Sequence, residues 1–418
     1  MKSRWSSLRG MVSLGLALVV LFTLGACRAP APPTPQETLD LGATVPFQNR
    51  AGIDLKNILE MNADLLNKAG GLNVGGKTYK IQFHIYDDKY QADPARAAME
   101  TLASKDNVKF IIGTFGSACV LAMTPISEPN KIPIFSGAAS DKLLDPQIKY
   151  FQHCHPAKMP LAKATLIAQL RPAIKSVVVI TYDDETGRAL APYMGLAYSL
   201  NGIKPVQSLF FARGQTDFSS IASKVLELNP DMVHLFGLMS GADYVQPIKA
   251  LREVGYTKDI FGCYLTQADV NDTVAKVGKA GVEGIMCEIT DPTFSGIANQ
   301  PPAAVELRKN YEKYYGTWET DGVQWAGCWY TFLAAVQKAG SLNPDKVMAA
   351  IDKDLVVQTP IGAAKFFRRP DLGNNRYCDY ATVVRFGVVK DGQIVFQAER
   401  DPDFFIDCVE KALKASVR

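Results

Sequence analysis

From Leu39 to Tyr264 the apolar positions change repeatedly between two periods. Short alternating or continuous apolar runs read as strands, and runs with an apolar residue every third or fourth position read as amphipathic helices. LDLGATVPF (39–47) predicts a strand. IDLKNILEMNADLLNKAGG (53–71) sets Ile53, Ile58, Met61, Leu65 and Leu66 on one face and stops at Gly70-Gly71, which predicts a helix closed by glycine. YKIQFHIYDD alternates as a strand, and DPARAAMETLASK opens with Asp93 as a cap and Pro94 in the first turn of a helix. VKFIIG, SACVLAMTPISEPN and IPIFSG continue as strand, helix and strand.

The alternation then restarts. LAKATLIAQL is a helix, KSVVVITYDD a strand, TGRALAPYMGLAYSLNG and DFSSIASKVLELNPD helices, DMVHLFGL a strand, GADYVQPIKALREVGY a helix and DIFGCYL a strand. Strand–helix alternation of this kind predicts an α/β fold with two doubly wound parallel-sheet lobes, wound the same way. Such sheets receive ligands at the carboxyl ends of their strands, where the strand order reverses.

The N-terminus obeys different rules. MKSRWSSLRG carries Lys2, Arg4 and Arg9 without an acid, and an apolar run of 16 residues, Met11 to Ala26, follows. That pattern predicts an export signal over 1–26, the run being short for a membrane span of about 20 residues. It ends in Leu24-Gly25-Ala26-Cys27, similar to the lipobox of bacterial lipoproteins, which makes Cys27 the expected lipidation site. Residues 27–38 continue as RAPAPPTPQE and beyond, a proline-rich tether.

Removing the leader changes the charge reading. The net charge of +3 equals its three basic residues, so the remaining chain balances at 42 basic and 42 acidic residues, with no nucleic-acid footprint. Hydrophobic residues make up 47%, ample for real cores, and the remaining 392 residues suit two or three domains. Seven of the eight cysteines remain once Cys27 is set aside, an odd number that leaves at least one thiol unpaired within a monomer.

Several strings invite chemistry. Gly71 to Thr78 satisfies G-x-x-x-x-G-K-T, but it follows a helix and precedes a strand, the reverse of a phosphate-binding loop. It is read as a helix stop and a turn, with Lys77 solvated. His153-Cys154-His155 alternates on a strand and so cannot gather three ligands on one side of a metal. Asp87-Asp88 and Asp183-Asp184 each end a strand with adjacent side chains that point apart, which suits solvated or capping roles better than paired acid–base chemistry. No nucleophile elbow and no zinc-protease motif occurs, so the chain reads as a non-enzyme without cofactor or metal.

The strand ends are more informative. Gly113-Thr114-Phe115-Gly116-Ser117-Ala118 and Ser136-Gly137-Ala138-Ala139-Ser140 are two small, hydroxyl-bearing loops at adjacent strand ends. Glycine admits close approach, helix-start amides carry partial positive charge, and Ser117 and Ser140 add donors, which together suit a carboxylate without a cationic partner. The alternative gives Ser117 a capping role and Ser140 a turn role.

The stretch DDKYQADPARAAMETLASKDNVKFIIGTFGSACVLAMTPISEPNKIPIFSGAAS (87–140), with VITYDDETGRALAPYM, AGVEGIM and GCWYTFLAAVQKAG in that order, resembles the type I solute-binding proteins of ABC importers. The resemblance is to the branch typified by leucine/isoleucine/valine-binding proteins, and it runs from about Leu39 through nearly all of the mature chain. It implies lobes over 39–153 with 290–382 and over 154–289 with 383–418. Crossovers near Phe151–Pro156, Glu288–Pro292 and Tyr380–Val384 would form the hinge. It places Gly116, Ser117, Ala138 and Ser140 on the ligand's polar end, with Phe47 bordering the cleft and Thr186, Leu238 and Tyr264 at second-lobe positions.

The chain departs from the family there: Thr186 stands where an aromatic residue is expected, and Tyr264 where an acid meets the ligand's ammonium. Asp184, Glu185 and Asp269 are the nearby substitutes. The resemblance therefore implies an exported, lipid-anchored receptor that passes a small carboxylate solute to an inner-membrane permease. A branched-chain or other hydrophobic amino acid leads, with an aromatic or aliphatic carboxylate, or a sensor of the same fold, as alternatives.

Overall fold

The computed structural model describes residues 36–238, 241–263, 265–294, 296–318 and 322–416. The leader, Cys27, nearly all of the tether, and Tyr264 lie outside the described residues. In chain order the elements are β1 (Glu37–Val45), α1 (Arg50–Lys68), β2 (Leu72–Val74), β3 (Lys77–Asp87), α2 (Ala92–Ser104), β4 (Phe110–Ile112), α3 (Ser117–Ser127), β5 (Ile134–Ser136) and β6 (Phe151–His153). There follow α4 (Met159–Leu170), β7 (Ser176–Tyr182), α5 (Glu185–Leu200), β8 (Lys204–Phe211), α6 (Ser219–Leu228), β9 (Met232–Phe236), α7 (Gly241–Glu253), β10 (Asp259–Gly262), α8 (Gln267–Val282) and β11 (Met286–Glu288). The chain ends with α9 (Pro302–Tyr315), α10 (Gly327–Ala339), α11 (Pro344–Ala349), β12 (Val357–Thr359), β13 (Gly362–Arg369), β14 (Asn374–Thr382), β15 (Val384–Lys390), β16 (Gln393–Arg400) and α12 (Pro402–Ser416).

Two sheets carry the fold, ordered β2-β3-β1-β4-β5-β6 and β16-β15-β11-β10-β9-β7-β8. Their parallel cores, β3-β1-β4-β5-β6 and β8-β7-β9-β10-β11, follow one winding rule, as the repeated alternation in the sequence predicts. The order reverses beside β1 and beside β7, so the strand ends next to β1/β4 and β7/β9 open onto the switch points. The sheets are not wholly parallel: β2 adds antiparallel to the first, and β15 and β16 to the second. A third, antiparallel sheet, β12-β13-β14, was not read from the sequence.

The two halves share one device at their first strand–helix junction. Asn49 caps α1 by accepting from the Gly52 amide at 2.8 Å, and Asp184 caps α5 by accepting from the Gly187 amide at 2.9 Å. A Cβ at Gly52 would lie 2.0 Å from the Pro46 carbonyl oxygen, and one at Gly187 2.0 Å from that of Tyr182. Each helix therefore starts pressed against the end of its own strand, which aims residues 50–51 and 185–186 off the sheet ends.

Residues on both sides of the central strands are buried because helices cover both faces. In the first sheet Phe110 and Phe135 pack with Phe332 of α10 at ring separations of 5.1 and 5.7 Å. Beside β6, His153 Nδ1 lies 2.9 Å from Asp379, and Arg369 joins Asp379 (3.1 Å) to Asp141 (2.9 Å) and Asp371 (2.7 Å). This buried network fastens β6 to β13 and β14, and it accounts for His153.

Several local readings change. Gly75 and Gly76, both at positive φ, turn β2 directly into β3, so Lys77 is a strand residue and pairs with Glu37 at 3.3 Å. The α2 cap is Gln91, with Asp93 inside the first turn. Asp88 is buried rather than solvated and accepts from the Tyr90 amide at 2.8 Å. Among the described residues no helix is long and apolar enough to cross a membrane.

Candidate ligand site

The carboxyl ends of β4 and β5 are stitched together by hydroxyls. Ser136 Oγ donates to the Thr114 carbonyl and accepts from the Ala138 amide at 3.0 Å. Ser117 Oγ, at the start of α3, accepts from the amides of Ala139 (3.0 Å) and Ser140 (3.2 Å). Amides expected to face a ligand are thus satisfied within the protein, and Ser117 is the knot between the loops rather than a cap. The α3 cap is Gly116, which has no side chain to offer the first-turn amides.

An aromatic wall adjoins these loops. Phe115 stacks on Trp325 with centroids 5.0 Å apart and planes 13° apart, His155 lies 4.2 Å from the other ring system of that wall, Trp325, and Tyr90 sits 6.0 Å from Phe115. Gly137 makes this possible, since a Cβ there would meet Trp325 at 2.4 Å. Burial, helped by the charge of Lys163, pushes the His155 pKa down to about 3, so the ring is neutral at physiological pH.

The start of α5 faces these groups from the second sheet. Thr186 Oγ1 donates to Ser117 Oγ at 3.1 Å, and Ser140 Oγ donates to Glu185 at 2.9 Å. Lys142 pairs with Glu185 at 2.9 Å. Arg213, from the loop after β8, forms an ion pair with Asp184 and lies 4.0 Å above the Tyr90 ring and 3.8 Å above that of Tyr182. Desolvation in this stack pushes the Tyr90 pKa up to about 12. At the rim, Arg50 reaches Asp269 at 3.6 Å and Asp272 at 3.8 Å.

Each acid that could meet an ammonium is already engaged. Asp184 holds Arg213 and the α5 cap, and Glu185 holds Lys142 and Ser140. Asp269 accepts from the Thr266 amide and hydroxyl, both at 2.8 Å, in the capping box of α8. Burial raises its pKa above the usual carboxylate value.

The structure brings Gly116, Ser117, Ala138, Ser140 and Thr186 together. Phe47 stands apart at 39% exposure, its amide on Asp87, and Leu238 is buried in the core on the helix side of the second sheet with Tyr182, Tyr244 and Leu265. Tyr90, Arg213 and Trp325 were not picked out from the sequence, while Phe115 entered only as a member of the first hydroxyl loop and His155 only in the rejected metal string. Only the glycine at 137, beside a bulky partner, carried a local hint of them.

The sequence profile of the periplasmic binding protein family matches residues 44–392. A Leu/Ile/Val-binding protein homologue of Brucella melitensis is 24% identical over 354 residues, covering 81% of this chain and 84% of its own. Among solved structures, a solute-binding protein of R. palustris in complex with benzoate superposes with a TM-score of 0.70 at 20% identity, covering 87% of this chain and 97% of its own. A leucine-binding protein of Thermotoga maritima gives 0.70 at 21% identity, with coverages of 88% and 99%.

Proposed function

Since this chain belongs to the periplasmic binding protein family, we propose that it is the extracytoplasmic solute receptor of an ABC importer, and that its solute is a small aromatic carboxylate. Two lobes, 39–153 with 290–382 and 154–289 with 383–418, close on the solute about the passages at Phe151–Pro156, Glu288–Pro292 and Tyr380–Val384. Cys27 carries the lipid that holds the receptor at the membrane beside its permease.

One observation carries the ligand class: hydroxyl donors lie beside flat rings while the nearby described acids already hold partners. A carboxylate entering between Ser117 and Thr186 takes their hydroxyls and approaches the uncapped start of α3, where partial positive charge stabilises it. Its ring lies against the Phe115–Trp325 wall, where Tyr90 and neutral His155 add no charge. An α-ammonium instead has to compete with Arg213 for Asp184, with Lys142 for Glu185, or with Arg50 and the α8 cap for Asp269, exchanging one partner for another. A ligand that touches both faces binds the closed state better, and so closes the cleft.

Titration calorimetry with benzoate, benzamide and leucine tests this reading. Benzoate is expected to bind at least about tenfold more tightly than benzamide, the loss of one charge-assisted hydrogen bond being worth about 1.5 kcal/mol or more. Leucine binding more tightly than benzoate would return the reading to a hydrophobic amino acid. Mass spectrometry of membrane-extracted protein, finding acylated Cys27 at the N-terminus, tests the anchor.

A further inference from the structure

A lysine, a cysteine and a glutamate meet in the interior of the second sheet, at the carboxyl ends of its strands. Lys163 of α4 points its Nζ at Cys263 Sγ, 3.0 Å away, and at the carboxylate of Glu288. Cys263 follows the last residue of β10, and Glu288 ends β11, with Cys263 Sγ 3.7 Å from Glu288 Oε2. All three are buried, Lys163 at 2% exposure and Cys263 at 0%. None of the three is among the ligand contacts proposed above.

Charge alone does not explain the cysteine. A lysine–glutamate pair is complete by itself, and an apolar side chain in place of the thiol would pack as well without a polar sulfur against an ammonium. Burial opposes charge on Lys163, but the Glu288 charge and the hydrogen bonds to Glu288 and Cys263 hold its pKa above the ordinary lysine value. Burial pushes the Cys263 thiol up to about 12. The resting groups are thus an ammonium, a thiol and a carboxylate in contact, shut away from water.

We propose that Lys163 and Cys263 form an oxidative modification site, in which dioxygen links Nζ to Sγ through one oxygen atom. The O–O bond breaks, and an S–O and an O–N bond form. Sulfur and nitrogen are each oxidised by two electrons, and dioxygen takes up all four. Of the three hydrogens released, one from the thiol and two from the ammonium, two leave in water with the second oxygen, and the third passes as a proton to the Glu288 carboxylate beside them. A separation of 3.0 Å accommodates a one-atom bridge with little movement. A direct S–N bond requires both side chains to move well inside contact distance. Dioxygen is small and apolar enough to reach a buried thiol that larger oxidants do not.

The bridge would join residues 100 positions apart and pin the loop after β10 to the first turns of α4. Cross-links over long loops restrict the unfolded chain most, so the bridged form melts at a higher temperature. Because Cys263 lies at the sheet end that faces the candidate site, the bridge also fixes that side of the cleft.

The test is intact and peptide mass spectrometry of the full chain, prepared in air and prepared anaerobically with a thiol reductant. The air sample is expected to gain about 14 Da, one oxygen gained and two hydrogens lost, within a peptide pair joining Lys163 to Cys263. Reductant is expected to reverse it, and Cys263→Ser and Lys163→Arg each to abolish it. The wild-type protein decides the matter even if a variant fails to fold. Quantitative alkylation of Cys263 after air exposure, oxygen added to Cys263 with Lys163 unchanged, or a joined pair lacking the oxygen would each overturn the proposal.

Discussion

Ser117 and Ser140 look interchangeable in the sequence and differ physically in the structure. Ser117 Oγ serves two buried amides, whereas Ser140 Oγ makes a bond to Glu185, which keeps Lys142 without it. Ser117→Ala leaves buried donors unpaired, at a cost of about 1–3 kcal/mol, and Ser140→Ala is expected to cost under about 1 kcal/mol. Urea denaturation of the two variants reads the difference, and equal midpoints would contradict the knot assigned to Ser117. Asp88 gives a second prediction at this scale. Burial, outweighing its hydrogen bonds from Tyr90 and Thr44, raises its pKa to about 6 in a residue only 1% exposed. The folded state then holds the Asp88 proton more tightly than the unfolded state does. Asp88 costs nothing below about pH 4, and stability falls as pH rises through about 6. Asp88→Asn keeps the acceptor for the Tyr90 amide and removes the charge. It is expected to raise stability by about 1–3 kcal/mol at neutral pH, and to leave it unchanged near pH 4. Thermal melts across that range check the sign, and a gain that persists at the acid end would rule out desolvation as its cause.

At the scale of elements, the paired junctions make a prediction that neither residue alone suggests. Gly52 and Gly187 both face a carbonyl oxygen at 2.0 Å from where a Cβ would sit, so Gly52→Ala and Gly187→Ala must push α1 or α5 off its strand. Each is expected to cost about 3 kcal/mol, the upper end for overpacking, whereas Gly195→Ala, inside α5 with open space around it, is expected to raise stability by about 0.5–1 kcal/mol. Chemical denaturation of the three alanine variants tests the repeat. The elements up to β10 were largely legible because their signals are local: period, cap and glycine stop; those after β10 were not read. β8 escaped because KPVQSLFF is half-buried near the sheet edge and does not alternate cleanly. The loops holding Ser117 and Ser140 could be found because small hydroxyl residues at strand ends are a local signal too, whereas Thr186 came only from the resemblance. The aromatic wall could not: Phe115, His155 and Trp325 come from three separate parts of the chain, and only the folded sheet ends bring them into contact. The engagement of Asp184 by Arg213, across 29 residues, was hidden for the same reason.

For the whole molecule, the contacts between the first-sheet loops and the second-sheet helix start bear on closure. Lys142, 69% exposed, pairs with Glu185 at 2.9 Å and is screened by water and salt, so Lys142→Ala is expected to cost at most about 1 kcal/mol of closure. Arg213 is different in kind: its guanidinium pairs with Asp184 on its own side and covers the Tyr90 ring on the other, at 31% exposure. Arg213→Ala removes a cation–π contact across the cleft and frees Asp184 from its partner, a loss of about 2 kcal/mol of closure. A solute that requires the closed state binds with its intrinsic Kd divided by the closed fraction, so this loss weakens binding up to about thirtyfold. Small-angle scattering of the unliganded protein is expected to show a larger radius of gyration for Arg213→Ala than for wild type, and a near-native one for Lys142→Ala. Saturating solute is expected to bring both back to the wild-type value, because closure would be weakened and not abolished. Weaker binding by Arg213→Ala with an unchanged unliganded radius would instead make Arg213 a direct ligand contact. It would also supply the carboxylate with the cationic partner that the two hydroxyl loops lack.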